Sequence, residues 1–174
     1  MTLAPTVPDL LPPPPRLRRV SPTRLHHLAR QFAARIDLWH PHVRFAHASR
    51  WSVRVAVTDD YEAWLLTWLP GQSTGLHDHG GSAGAFTVLS GVVEESTLPP
   101  TRSRGPAALV HRTLSAGRVR AFGSDYVHDV TNNGSEPAVS LHVYAPALDT
   151  MRHYVLDDQG RPQVVSLERN GTDW

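Results

Sequence analysis

The chain has 174 residues, enough for one compact domain with a substantial core. Its 17 basic and 16 acidic residues leave a formal charge of +1, which argues against a polyanion partner such as nucleic acid. With no cysteine, disulfides, thiolate ligands and a cysteine nucleophile are excluded. Residues 1–20 read as a disordered proline-rich tail. Pro5, Pro8 and the run Pro12 to Pro15 cannot supply regular hydrogen bonds, and Arg16, Arg18 and Arg19 follow as a basic patch. Residues 21–174 then read as a single domain. Ser21-Pro22 is an N-cap followed by proline at the first helical position. Leu25, Leu28, Ala29, Phe32 and Ile36 follow at helical spacing, so one amphipathic helix is expected over 22–36, with His26 and His27 on its surface.

From Arg50 the period changes to two. Trp51, Val53, Val55 and Val57 alternate with Ser52, Arg54, Ala56 and Thr58. Further strands are expected over 61–69, 86–95, 108–114, 118–122, 127–131, 138–144, 151–156 and 163–167. Turn signals separate them, among them Pro70-Gly71, Gly80-Gly81, Pro99-Pro100, Ala116-Gly117 and Asn132-Asn133-Gly134. The fold class is therefore all-β with a short N-terminal helical segment, a sandwich or barrel. No apolar run approaches the ~20 residues of a membrane span, and no secretory leader is visible. A cytoplasmic monomer without membrane or nucleic-acid partners is the expectation.

Eleven histidines are the compositional outlier, and two of them lie two residues apart in Gly71-Gln72-Ser73-Thr74-Gly75-Leu76-His77-Asp78-His79. On a strand, side chains at i and i+2 leave one face, so His77 and His79 can converge on a metal. His128 is the best third ligand, with His142 as its rival. His40, His42, His47, His111 and His153 show no convergent spacing and read as structural or exposed.

Gly71, His77-Asp78-His79 and Gly91 reproduce the first cupin motif, and Gly117, Gly123-Ser124-Asp125, His128 and Asn132 fit the second in part. The chain thus resembles the cupins, which implies a jelly-roll β-barrel around one metal. Where most cupins carry a glutamate ligand, seven positions before Gly91, this chain has Gly84. The remaining ligand set, His77, His79 and His128 without a carboxylate, resembles that of the thiol dioxygenases, the cysteine dioxygenase branch. The stretch Ala138 to Pro146, with Ser140, His142 and Tyr144 at alternate positions, resembles that family's Ser-His-Tyr strand. Arg50 to Arg54, followed by Trp68, resembles the segment that supplies its substrate arginine. In animal members a cysteine crosslinks to the tyrosine; the matching position here is Gly84, so Tyr144 would act unmodified.

The resemblance implies Fe(II) held by His77, His79 and His128, and oxidation of L-cysteine to cysteine sulfinate with O2. Three neutral imidazoles leave the iron its full charge and an open face for a thiolate, an amine and dioxygen, whereas zinc would tolerate the ligands without redox chemistry. Ser140, His142 and Tyr144 share one strand face and, if buried, form a hydrogen-bonded relay beside the substrate. Arg54 is the expected carboxylate clamp. Arg50 shares its face, and Trp68 lines or supports the pocket. Arginine in place of glutamine at the Arg54 position favours cysteine over 3-mercaptopropionate. A non-redox metal-binding cupin is the reading from a different class.

Overall fold

The computed structural model describes residues 20–98 and 108–169, so nearly all of the proline-rich tail and the Pro99-Pro100 turn lie outside the described residues. Helix α1 (Pro22–Ala34) begins as its sequence dictates: Ser21 Oγ accepts from the Arg24 N–H at 3.3 Å, and Pro22 takes the first turn. It stops earlier than the expected residue 36. Arg35 leaves the helical region (φ −91°, ψ 70°), and a one-turn helix α2 (Ile36–Trp39) follows. At the break Arg35 turns its guanidinium onto the Asp37 carboxylate at 2.8 Å and Ile36 points outward. No helix among the described residues is long and apolar enough to cross a membrane.

Eleven strands follow: β1 (Trp51–Val57), β2 (Glu62–Trp68), β3 (Leu76–His77), β4 (Ala83–Ser90), β5 (Val92–Thr97), β6 (Val110–Ser115), β7 (Val119–Phe122), β8 (His128–Thr131), β9 (Ala138–Ala145), β10 (Thr150–Leu156) and β11 (Pro162–Arg169). They form two antiparallel sheets, one ordered β1-β2-β9-β4-β7 and the other β11-β10-β3-β8-β5-β6. This is the cupin jelly roll. The single strand expected over 86–95 is two strands, because Gly91 adopts φ +75° and the chain crosses there from one sheet to the other. A side chain at 91 would also press on the backbone of Pro137 and Ala138, at 2.6 and 2.9 Å.

Strand β9 shows how the sheet sorts its faces. Leu141, Val143 and Ala145 turn outward and are covered by Leu25 and Ala29 of α1, with Ala63 and Ala85 beside them. The small residues let the helix lie close. Ser140, His142 and Tyr144 turn inward, opposite Leu66, Trp64 and Glu62 of β2 and Val88, Phe86 and Gly84 of β4. Burial behind a helix on one side and a second sheet on the other fixes which polar groups face the barrel interior.

Candidate metal centre

His77 lies on β3, the middle of three strands, in register with His128 of β8 and His153 of β10. His79 stands just past the end of β3, yet the alternation continues. Asp78 turns to the other side and accepts from Arg152 Nη2 at 2.7 Å, Arg152 Nε at 2.8 Å, Tyr154 Oη and the Gly80 N–H. That clamp ties the His-Asp-His segment to β10. The rings of His77, His79 and His128 come together with centroids 4.7 to 5.1 Å apart. One nitrogen from each lies within 4.8 Å of the others, and all three residues are buried. Position 84 adds no fourth ligand, since a Cβ there would sit 2.5 Å from the Phe122 ring.

Burial, reinforced by the neighbouring rings, pushes His77 and His79 well below the ordinary histidine pKa, so they present lone pairs rather than protons. The Gly75 carbonyl accepts from His77 Nδ1 at 2.9 Å, which leaves Nε2 as that ring's free donor atom to a metal. Glu95 Oε1 orients His128 in the same way, 3.1 Å from Nδ1. This carboxylate is itself fully buried and accepts from Arg120 Nε and Tyr126 Oη, each at 2.9 Å. Burial raises the Glu95 pKa, but its bonds to His128, Arg120 and Tyr126 outweigh that and hold it below the ordinary range. His79 is different, because neither ring nitrogen has a hydrogen-bond partner. A buried imidazole orphaned on both nitrogens costs stability unless something binds it. Two lone pairs oriented from behind and a third with no other partner fit a divalent transition metal.

Beside the triad runs a chain of hydrogen bonds. Trp68 Nε1–H donates to Ser140 Oγ at 2.9 Å, Ser140 Oγ lies 2.8 Å from His142 Nε2, and His142 Nδ1 lies 3.2 Å from Tyr144 Oη. Indole only donates, so Ser140 Oγ accepts from Trp68; in one His142 tautomer the Ser140 proton then goes to His142 Nε2. In that tautomer Nδ1–H donates to Tyr144, whose own proton points into the cavity. Burial pushes His142 well below its usual pKa and Tyr144 above its own, so both rings are neutral. The Phe86 ring stacks on His142 at 5.0 Å and fixes its plane.

His142 and Tyr144 open onto a cavity of about 380 Å³, within the range of small-molecule sites. His77, His128, His142 and Tyr144 lie on its wall; His79, Trp68 and Arg54 do not. Arg54 lies over the Trp64 ring, 5.7 Å from its centre, and pairs with Glu62 at 3.4 Å with nearly half its side chain in solvent. Arg50, four residues earlier, is the arginine that lines the cavity. Its guanidinium lies 5.0 Å over the Trp68 ring, and its buried Nε has no partner. Burial depresses the Arg50 pKa against the opposing charges of Tyr144, Glu168 and Asp129, and Arg50 forms no ion pair among the described residues. Glu168 and His153, 3.2 Å apart, stand at the mouth. His153 had no linear spacing to mark it; only its cross-strand register with His77 does. Glu95 and Phe122 carried no signal either, since partners behind a ligand are set by long-range register.

The fold and the histidine cluster define a cupin with a site that could hold a metal. Residues 18–157 match the cysteine dioxygenase type I family, and the chain belongs to it. Curated relatives include cysteine dioxygenase type 1 of Rattus norvegicus, 33% identical over 95 residues, and of Homo sapiens, 32% identical over the same length. Each match takes in 52% of this chain and 47% of the relative, so the chain spans about half the length of the curated relatives it matches. Among solved structures, a Thermus thermophilus protein superposes with a TM-score of 0.53 at 23% identity, covering 62% of this chain and 93% of that one. A Desulfitobacterium hafniense cupin superfamily protein gives 0.50 at 14% identity, over 62% and 87%. These likenesses carry the fold alone.

Proposed function

We propose that the chain is an iron-dependent thiol dioxygenase that converts L-cysteine to cysteine sulfinate. The observation that carries this reading is Arg50, a half-buried cation with no ion pair among the described residues, facing the same small cavity as His77, His128 and Tyr144. His77, His79 and His128 would hold Fe(II), which supplies the redox chemistry that joins both atoms of O2 to sulfur. The overall change is balanced without an external reductant: the thiol loses its S–H bond, gains two S–O bonds and releases one proton from the resulting sulfinic acid.

The chain's own residues divide the remaining work. Arg50 pairs with the substrate carboxylate in a cavity where the pair is poorly screened, and Trp68 keeps the guanidinium flat. Tyr144 donates its free proton to a substrate or oxygen atom, while His142 and Ser140 hold that hydroxyl in one orientation. Trp64, Leu66 and Met151 line the cavity and limit water.

Arg50 suits any thiol bearing a carboxylate, 3-mercaptopropionate included, so the choice of cysteine no longer rests on Arg54. The Glu168 carboxylate at the mouth favours a substrate that also carries an ammonium group. Oxygen uptake by iron-loaded protein with cysteine, 3-mercaptopropionate and cysteamine tests this. Cysteine should give the highest kcat/KM and sulfinate as product; preference for 3-mercaptopropionate would reassign the substrate, and inertness toward all three would remove the activity.

A further inference from the structure

Two of the three clustered histidines are oriented by hydrogen bonds from behind, and His79 is not. What touches His79 is aromatic on both sides. The Phe122 ring stacks on it at 4.9 Å with 24° between planes, and Tyr144 lies 4.9 Å away at 33°. Phe122 reaches this place because of the residue across from it. Phe122 of β7 is in register with Gly84 of β4, and the Cζ–Cε2 end of its ring lies against that glycine. A Cβ at 84 would stand 2.5 and 2.6 Å from Phe122 Cζ and Cε2, and 3.0 Å from Tyr144 Cδ1. The absence of a side chain at 84 is thus what allows Phe122 over His79. The same ring stacks on Tyr126 at 4.7 Å, and Tyr126 donates to the Glu95 carboxylate behind His128.

We infer that Phe122, seated in the space left open by Gly84, is a positioning residue that fixes the His79 ring for metal binding in place of the missing hydrogen bond. This rests on the reading that the three histidines hold a metal. Aromatic stacking contributes modestly per pair, but a ligand ring free to rotate loses the alignment of its lone pair, and partners behind ligands typically change metal affinity about 10- to 100-fold.

The test uses Phe122→Leu, Phe122→Tyr and, as a packing control, Val93→Ala, which trims a buried core residue that is not among the stacking partners of His79. The readouts are Fe(II) and Co(II) affinity by chelator competition, the visible spectrum of the cobalt-loaded protein, and thermal unfolding of the metal-free protein. Phe122→Leu should weaken metal binding at least about 10-fold and alter the cobalt spectrum. Phe122→Tyr should restore both, and Val93→Ala should lower only thermal stability. Should Phe122→Leu fail to fold, Phe122→Met carries the same comparison. Metal affinity and cobalt spectrum unchanged in the leucine or methionine variant overturn the inference while leaving the metal-binding reading intact. Failure of the wild-type protein to bind either metal overturns both.

Discussion

Arg50 is the residue whose environment most needs a partner. A half-buried guanidinium whose inner Nε has no partner, and which has no ion pair among the described residues, gains from packing and from a ligand anion. Arg50→Ala should therefore lower kcat/KM for cysteine by about 2–4 kcal/mol of lost transition-state binding, with metal retention unchanged. Arg54→Ala should stay close to wild type, and the reverse ranking in steady-state kinetics would return the clamp to Arg54. Sequence parity placed both on one face, since 50, 52 and 54 alternate with the apolar set. What parity does not encode is how far along that face the cavity extends: Ser52 is on its wall, but at Arg54 the Trp64 ring intervenes. The His77-His79 pair and the Ser140-His142-Tyr144 set were legible because their spacing is local and their residue types are costly to bury, whereas His128, which the fold brings beside the pair, was chosen over His142 only through the resemblance. Tyr144→Phe should retain iron but slow or uncouple sulfinate formation, because it removes the free proton while keeping the ring against His79. Coupled turnover at the wild-type rate would reduce Tyr144 to packing.

At the level of elements, the site depends on β9 presenting two opposite faces. Its outward residues are sealed by α1, where Leu25 is wholly buried on a platform of small side chains. Leu25→Ala should cost about 2–5 kcal/mol, the usual range for a buried leucine, with the cysteine-dependent rate per folded molecule unchanged. A chemical denaturation midpoint at the wild-type value would contradict that account of the helix. The helix start, β1 and β9 could be read from periodicity and capping alone. The two-residue strand β3 could not, because it is shorter than any pattern, and it exists through pairing with β8 and β10. The division of 86–95 into β4 and β5 likewise turns on one glycine conformation and on the approach of Pro137 and Ala138, a long-range contact.

Across the whole molecule, the barrel keeps several imidazoles neutral by withholding water. His77, His79 and His142 all have pKa values depressed by burial in the folded state, whereas the unfolded chain returns them to about 6.5. Below that pH the unfolded state takes up protons that the native rings refuse, so stability is retained above it and lost as pH falls. The slope is up to about 1.4 kcal/mol per pH unit for each ring. Unfolding midpoints of metal-free protein should fall steadily from pH 7.5 to 5; a midpoint that is flat or rises toward acid would contradict neutral burial. The proposed function requires this barrel to oxidise a thiol with a metal held only by histidines. Anaerobic reconstitution with Fe(II), followed by simultaneous measurement of oxygen consumed and cysteine sulfinate formed, tests it most directly. The account predicts one sulfinate per O2 from the iron-loaded protein and none from zinc-loaded protein or His79→Ala. Iron-loaded protein that consumes no oxygen with cysteine, or a His79→Ala variant that turns over normally, would contradict it.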